Sequence, residues 1–522
     1  MRHLGNLAAL AALLASAPAL AGEVNADPST YKAALAALAP GDTLHLAAGK
    51  YPLLVLNALA GTEASPITIA GAPSGGTVIE GDSGHNTVEI IESSYVVVKG
   101  LTVDSKGLDG IFGLSAKDGL SNHVHHITVD GCTFIGQGAG QQTVGISTKT
   151  PTWGWVIRGN VIDGAGTGMY LGNSDGSSPF VAGVIEGNLI KNTIGYNAQI
   201  KWQAAWPAGA GLPAGPNRTI VRHNVFIKND QPSPDGDRPN LLIGGAPTSG
   251  PGAQDLFEIY GNLFFHNPRE ALLQVAGRVS IHDNVFVDAS SPAIVLQNHD
   301  LPLAMARVYN NTIYTAKAGI HFGSAAAEGS FVVGNLVFAA TPIGGPITTS
   351  KDNLTDVMAS AADHVHAPSF TLGAMDFYPR AGKAQGPALD LSAAAGDTDH
   401  DRDFNGTSKG GFTFRGAYAG EGNNPGWPLD DGLKSSTSSG SSSSGSGSSS
   451  GGISSSGGAG GGGTGDESGG GTGDESDAGC GCEVAGGASN AGWWATLGLL
   501  AIRGARLRSA RRRRPGAPIR VA

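Results

Sequence analysis

The sequence predicts an all-β fold, a right-handed parallel β-helix (a solenoid) of about ten coils. Two observations predict it: a corner motif that recurs through the middle of the chain, and the irregular interval between its copies. The motif is an apolar strand, a Gly-Asn or Asp-Asn pair, and apolar residues that resume at once. Copies span 156–162, 184–190, 220–226, 258–264, 280–286, 308–313 and 332–337, and two earlier ones, 99–103 and 130–134, lack the Asn. Corner positions fall at 101, 132, 160, 188, 224, 262, 284, 311, 335 and 353, so the interval ranges from 18 residues (335 to 353) to 38 (224 to 262). A solenoid of α-units keeps a fixed period, whereas stacked β-coils expel extra residues as loops without disturbing the ladder. A sandwich would carry Asn-Gly hairpin turns between its strands. Gly and Asn tolerate the left-handed backbone that a sharp bend needs, and stacked Asn side chains can bond up the ladder.

The flanking elements follow in order. Residues 1–21 read as an export signal: Arg2 and His3, an apolar run from Leu4 to Leu14, and the small-x-small site Ala19-Leu20-Ala21. Residues 22–430 form the β-helix domain with its caps. The open N-terminal end needs a cover. The apolar stretch 31–38 after Pro28-Ser29-Thr30 supplies a capping helix, with Ser or Thr as its N-cap. Thr43-Leu44-His45-Leu46 then begins the first coil. Residues 431–479 are mostly Ser and Gly with Asp, Glu and Thr, a linker that cannot bury a core and is expected to be disordered. Residues 480–522 hold Cys480 and Cys482, a hydrophobic segment around Trp493-Trp494, and eight arginines from Arg503 to Arg520. The positive-inside rule keeps such arginines cytoplasmic.

Charged residues make up 15% of the chain and the net charge is −10, so without the eight terminal arginines the body is near −18 (−10 − 8). An acidic body argues against a nucleic-acid partner. Cys132, inside an apolar strand pattern, reads as a small buried hydrophobe rather than half of a disulfide. A monomer is expected.

Segments 39–46 (APGDTLHL), 49–51 (GKY), 61–69 (GTEASPITI) and 78–81 (VIEG) resemble the opening of the pectate-lyase-like β-helix superfamily, nearest the branch of chondroitinase B and alginate lyases. Segments 376–380 (DFYPR), 387–390 (PALD), 403–406 (DFNG) and 415–418 (RGAY) resemble its closing coil. The C-terminal tail resembles the myxobacterial sorting signal, with its Ser/Gly linker, Cys motif, short hydrophobic segment and Arg-rich end. That likeness implies export to the cell surface, membrane contact through the tail, and processing near Cys480 or Cys482.

A uronate lyase must neutralise the substrate carboxylate and then remove the neighbouring proton. The chondroitinase-like pattern implies a Lys on one coil, an Arg one coil later, and acidic Ca²⁺ ligands just before the Lys. Lys201 matches the Lys and is the candidate base. Ile243 stands where the Arg would be, and Asn197 and Gln199 replace the acids. The Asp set and Gly-His-Gly of polygalacturonases and the Arg-x-Pro-x-x-Arg run of pectate lyases are absent.

The longest intervals expel loops 202–217 and 229–239, which carry Trp202, Trp206, Asp230, Asp235, Asp237 and Arg238. Long loops on successive coils can wall a groove. Aromatic faces suit sugar rings and carboxylates suit hydroxyls, so Lys201, Trp202, His223, Asp235, Asp237 and Arg238 are expected to line a polysaccharide groove. The alternative has the same residues solvated, with Trp202 and Trp206 packing their loop on the barrel. Asp397, Asp399, Asp401 and Asp403 alternate in a loop that suits Ca²⁺ or is simply a solvated acidic loop. His123, His125 and His126 form a tight trio without the further ligands a metal needs. Two functions stay open: a cell-surface protein that binds or processes polysaccharide, and a uronate lyase acting by β-elimination through Lys201.

Overall fold

The computed structural model describes residues 21–326 and 329–434. The export signal up to residue 20, nearly all of the Ser/Gly linker and the Cys480/Cys482 tail lie outside the described residues. No helix among the described residues is long and apolar enough to cross a membrane.

Each coil gives one strand to each of three parallel sheets, termed A, B and C in the order the chain visits them. One turn runs Arg218–Arg222 in A, Val225–Ile227 in B, Leu241–Ile243 in C, and Leu256–Tyr260 back in A. Sheet A has 15 strands, sheet B 12 and sheet C 11. The ladder begins one rung earlier than expected, because Glu23–Ala26 already pairs in parallel with Thr43–Leu46. The helix that follows is shorter than the apolar stretch, Tyr31–Leu35. Its entry is held by Asp27, whose Oδ1 accepts from the backbone of Ser29 (2.9 Å) and Thr30 (3.1 Å), rather than by a Ser or Thr side chain. Tyr31 and Leu35 are buried against the first coils, with Tyr31 edge-on to Tyr51 at 5.2 Å.

Inward residues stack in register through the barrel. In sheet A the column includes Val129, Ile157, Ile185, Val221, Ile259 and Ile281. In sheet B the rings of Phe226, Phe264 and Phe286 stack at 4.9 and 4.7 Å. β-Branched and aromatic side chains suit such a surface because they present rigid area to the neighbour one rung away.

The A-to-B corner is held by a ladder of buried amides. Asn160, Asn188, Asn224, Asn262, Asn284, Asn311 and Asn335 each donate from Nδ2 to Oδ1 of the next corner Asn, at 2.8–3.0 Å, ending on Asn353. The left-handed backbone falls one residue earlier, on Gly131, Gly159, Gly187, His223, Gly261, Asp283, Asn310, Gly334 and Asp352. The two halves of the motif thus have separate tasks: the first residue bends, the Asn bonds. Cys132 occupies an Asn position, is 1% exposed, and donates its backbone N–H to Asn160 Oδ1 (2.9 Å). Burial pushes its thiol up to about 11, consistent with a structural role.

The C-terminal part departs from the expected closing coil. Asp376–Pro379 pairs antiparallel with Val365–Ala367, and the two strands lie on the outer face of sheet B. There Phe377, Val365, Phe404 and Tyr418 cover Val225, Leu263, Phe265 and Val287. The reason is in the sheet B strands, which read Val225-Phe226-Ile227, Leu263-Phe264-Phe265 and Val285-Phe286-Val287. Apolar on both sides, they need a second cover outside the barrel.

Candidate functional site

The chemistry gathers on the outer face of sheet C. One column there runs Ser115, Ser147, Tyr170, Gln199, Leu242 on successive coils. A neighbouring column, two positions along, runs Lys117, Lys149, Gly172, Lys201, Gly244. Lys149 and Lys201 reach toward Tyr170 from either side, with their Nζ atoms 5.6 and 6.0 Å from the ring centre. Among the described residues the lysine ion pairs lie elsewhere, at Lys50, Lys106, Lys191, Lys351 and Lys409. Ser115 Oγ, Ser147 Oγ and Gln199 Oε1 are buried without a hydrogen-bond partner. Unused polar capacity costs about 1–3 kcal/mol per group, and here it lies on three of four successive rungs, with Tyr170 on the other, beside Lys149 and Lys201.

The register corrects one reading. Ile243 pairs with Ile200, and both point into the core. The residue beside Lys201 on the next coil is Gly244, where a Cβ would lie 2.2 Å from the Trp202 backbone nitrogen. The second cation is Lys149, on the other side of Tyr170 and toward the N-terminus. Lys149 and Tyr170 carry no local signal of their own; only strand register, which loop lengths hide, brings them beside Lys201.

Loops bound this face on both edges. On the C-to-A side, Trp202 Nε1 donates to Ser174 O (3.0 Å) and Trp206 Nε1 to Gln203 Oε1 (2.9 Å), so both rings pack loop on loop. On the B-to-C side, the loop carrying Asp235, Asp237 and Arg238 folds back along earlier coils. Asp235 N donates to Gln141 Oε1 (2.9 Å) and Gln141 Nε2 to Gly236 O (2.9 Å). Arg238 is turned inward, donating to Asp235 O and Asp237 O beside the Tyr196 ring. Beneath it Lys228, pushed down to about 8 by burial, donates to Arg238 O. Lys201, Trp202, Asp235, Asp237 and Arg238 therefore flank one sheet, with the tryptophans and Arg238 spent on holding the walls.

His223 does not join them. It sits at the A-to-B corner, the vertex opposite sheet C, in the left-handed conformation (φ 57°) with its ring over Gly261. A cleft of about 760 Å³ opens there between the corner and the C-terminal cap. Its acids Asp130, Glu186, Asp399 and Asp403 are matched by Arg158, Arg222, Arg402 and Lys434. Several are directly paired: Arg158 with Asp130 (2.9 Å), Arg222 with Glu186 (2.7 Å), and Tyr260 OH with Asp399 (2.9 Å).

Burial, reinforced by Lys434 and Arg222, pushes His223 down to about 3. Burial likewise lowers His282, whose ring is stacked between Tyr260 (4.8 Å) and Tyr309 (4.7 Å). Both are held neutral in the fold, while the unfolded chain titrates near 6.5. Their contribution is complete above that pH and is lost as pH falls through each lowered value, about 3 for His223. The variant His223→Asn, which keeps a residue tolerant of the left-handed corner, should flatten the acid limb of a plot of Tm against pH. Parallel acid limbs for parent and variant would contradict this.

The alternating aspartates do not converge. Asp397 takes Ser280 Oγ (2.6 Å) and Arg307 (2.5 Å), Asp399 takes Tyr260, and Asp403 takes the backbone N–H groups of Asn405, Thr407 and Ala419. Asp401 is exposed. The segment crosses the outer side of sheet A, where Asp397 and Asp399 meet different rungs, while Asp403 binds the backbone of the cap and Asp401 is exposed. No cluster of three metal-ligating side chains occurs among the described residues. His125 and His126 face each other (Nδ1 to Nδ1 2.7 Å) and stack on Trp153 and Tyr95 respectively, with burial pushing His125 down to about 4.

A family model described as "Right handed beta helix region" matches residues 144–337. No curated protein matches the chain in sequence. Similar solved structures include an alginate lyase from Paenibacillus sp. str. FPU-7, 16% identical over 64% of this chain and 99% of that one, TM-score 0.38. Pectate lyase Pel9A is 13% identical over 77% of this chain and 96% of that one, TM-score 0.45. The A-module of Azotobacter vinelandii mannuronan C-5 epimerase AlgE6 is 18% identical over 63% of this chain and 94% of that one, TM-score 0.37.

Proposed function

We propose that the protein binds a uronate-bearing polysaccharide across the outer face of sheet C and cleaves it there by β-elimination. The observation that carries this reading is the pair Lys149 and Lys201 on either side of Tyr170, without carboxylate partners. An unpaired ammonium beside a polar strip favours an anionic sugar. In this reading Lys149 offsets the substrate carboxylate, which acidifies the adjacent carbon. Lys201 acts as the free amine: it takes that proton and becomes ammonium, the electron pair of the broken C–H bond forms the ring double bond, and the glycosidic oxygen leaves with a proton from Tyr170. The walls carrying Trp202 and Asp235 confine the chain. The export-signal and Cys480/Cys482 tail patterns in the sequence support a cell-surface place for this activity.

Binding without turnover is the second reading, favoured by Gly244 in the place where a further cation would assist elimination. A single assay separates them. Alginate and polygalacturonate are offered to the full chain, and unsaturated uronate is followed by ultraviolet absorbance. Lys201→Ala and Tyr170→Phe, checked for unchanged Tm, should each lower release by about 100-fold. Absence of release by the parent with retained binding supports the second reading. Unchanged release or binding in both variants removes sheet C as the site.

A further inference from the structure

We propose that the cleft at the A-to-B corner is a second carbohydrate site, specific for a neutral glycan strand and independent of sheet C. Its charge balance points there. Four acids face four bases, and Asp130 with Arg158 and Glu186 with Arg222 are already paired, so the lining is balanced in charge and holds no excess of one sign to attract an ion. What remains available is a dense set of paired donors and acceptors, the recognition chemistry of hydroxyl groups.

The shape agrees. The floor is formed by the corner glycines Gly159 and Gly187, both left-handed at φ 63° and 61°. A Cβ at Gly187 would meet nothing within 4 Å, so the trough above it is open. Two successive corners without side chains make a channel running along the barrel axis. His223 and Tyr260 close one end, because the corner after Gly187 carries an imidazole instead of a hydrogen. On the cap side stands Trp427, half-buried, its ring tilted against Phe404 at 6.4 Å with its remaining surface in the cleft. Leu433 beside it is 43% exposed. A channel with hydrogen-bonding charges on one wall and an indole on the other suits a flat sugar ring, with an apolar face and a rim of hydroxyls.

Calorimetric titration of the full chain with cellohexaose, laminarihexaose and mannohexaose tests this. At least one neutral hexasaccharide should bind. Trp427→Ala should weaken it at least tenfold, and Lys201→Ala should leave it unchanged. Gly187→Asn provides a second variant, since equivalent corners already carry Asn310 and Asp283 in the same conformation. Its side chain stands in the open trough, so it should fold normally and bind at least tenfold more weakly. Failure of all three sugars to bind, or parental affinity in both Trp427→Ala and Gly187→Asn, would overturn the assignment. So would loss of binding in Lys201→Ala, which would move the neutral glycan to sheet C. Uronate release is read in a separate assay, so failure of the corner cleft and failure of sheet C as a uronate site are distinguishable.

Discussion

Replacing Asn262 with Ala should destabilise the middle of the barrel by about 2–4 kcal/mol, about 1–3 for one orphaned buried donor and about 1 for the other bonds of the lost amide. Asn262 is fully buried. Its Oδ1 accepts from Asn224 N (2.8 Å) and Asn224 Nδ2 (3.0 Å). Its Nδ2 donates to Val221 O, Tyr260 O and Asn284 Oδ1, each at 2.9 Å. Alanine orphans the Asn224 backbone N–H, while Asn224 Nδ2 keeps Ile185 O (2.8 Å) and Arg222 O (3.0 Å), and it leaves Val221 O, Tyr260 O and Asn284 Oδ1 each with one donor fewer. Asp, the nearest isostere, would bring a second acceptor toward Asn284 Oδ1 and should cost a similar amount. Coils contact only their neighbours, so the loss should appear in hydrogen exchange as faster opening around 221–226, 259–264 and 281–286. Uniform protection across those segments in the variant would show that the amide ladder is dispensable.

Lys409→Met should cost a comparable amount for a different reason. Lys409 Nζ reaches down from the cap to Asp283 Oδ2 (2.6 Å), His400 O (2.9 Å) and Asn310 Oδ1 (3.3 Å). Asp283 is 1% exposed, its Oδ1 has no partner, and its one other contact is His282 Nδ1 (2.7 Å). Burial raises its carboxyl and Lys409 opposes that rise. Methionine fills the same volume but leaves an uncompensated buried carboxylate, a defect worth about 3–5 kcal/mol. The double variant Lys409→Met with Asp283→Asn removes the charge and should recover most of the loss. Limited proteolysis of the cap, residues 357–434, reports both effects. If the double variant is cut as fast as the single one, the buried charge is not the cause.

The corners and the strands between them were legible because they repeat: each Asn sits between apolar residues whose environment is the same on every rung. The outer cover on sheet B was equally present in the sequence. Leu263-Phe264-Phe265 shows no alternation, which is the mark of a strand buried on both faces. The candidate site was harder. Lys149, Tyr170 and Lys201 are separated by 21 and 31 residues (149 to 170, 170 to 201). Nothing local says that they stand side by side, because loop lengths differ on every coil. Lys201 was found through resemblance and its neighbours only through register. Spacing is equally silent on the distance between His223 and sheet C, and on whether Asp397, Asp399, Asp401 and Asp403 gather at one ion or lie apart as a solvated acidic loop.

Every amide in the corner row points the same way, each handing a hydrogen to the coil that follows. A turn therefore meets the same partner above and below wherever it stands in the stack. Whole turns can be copied or lost by gene duplication and deletion without inventing a new contact, while a single altered letter is felt by two floors at once. Length at this corner can change in steps of one storey, while loops and cap that reach other storeys, as Asp235 reaches Gln141 and Lys409 reaches Asp283, tie particular storeys in place.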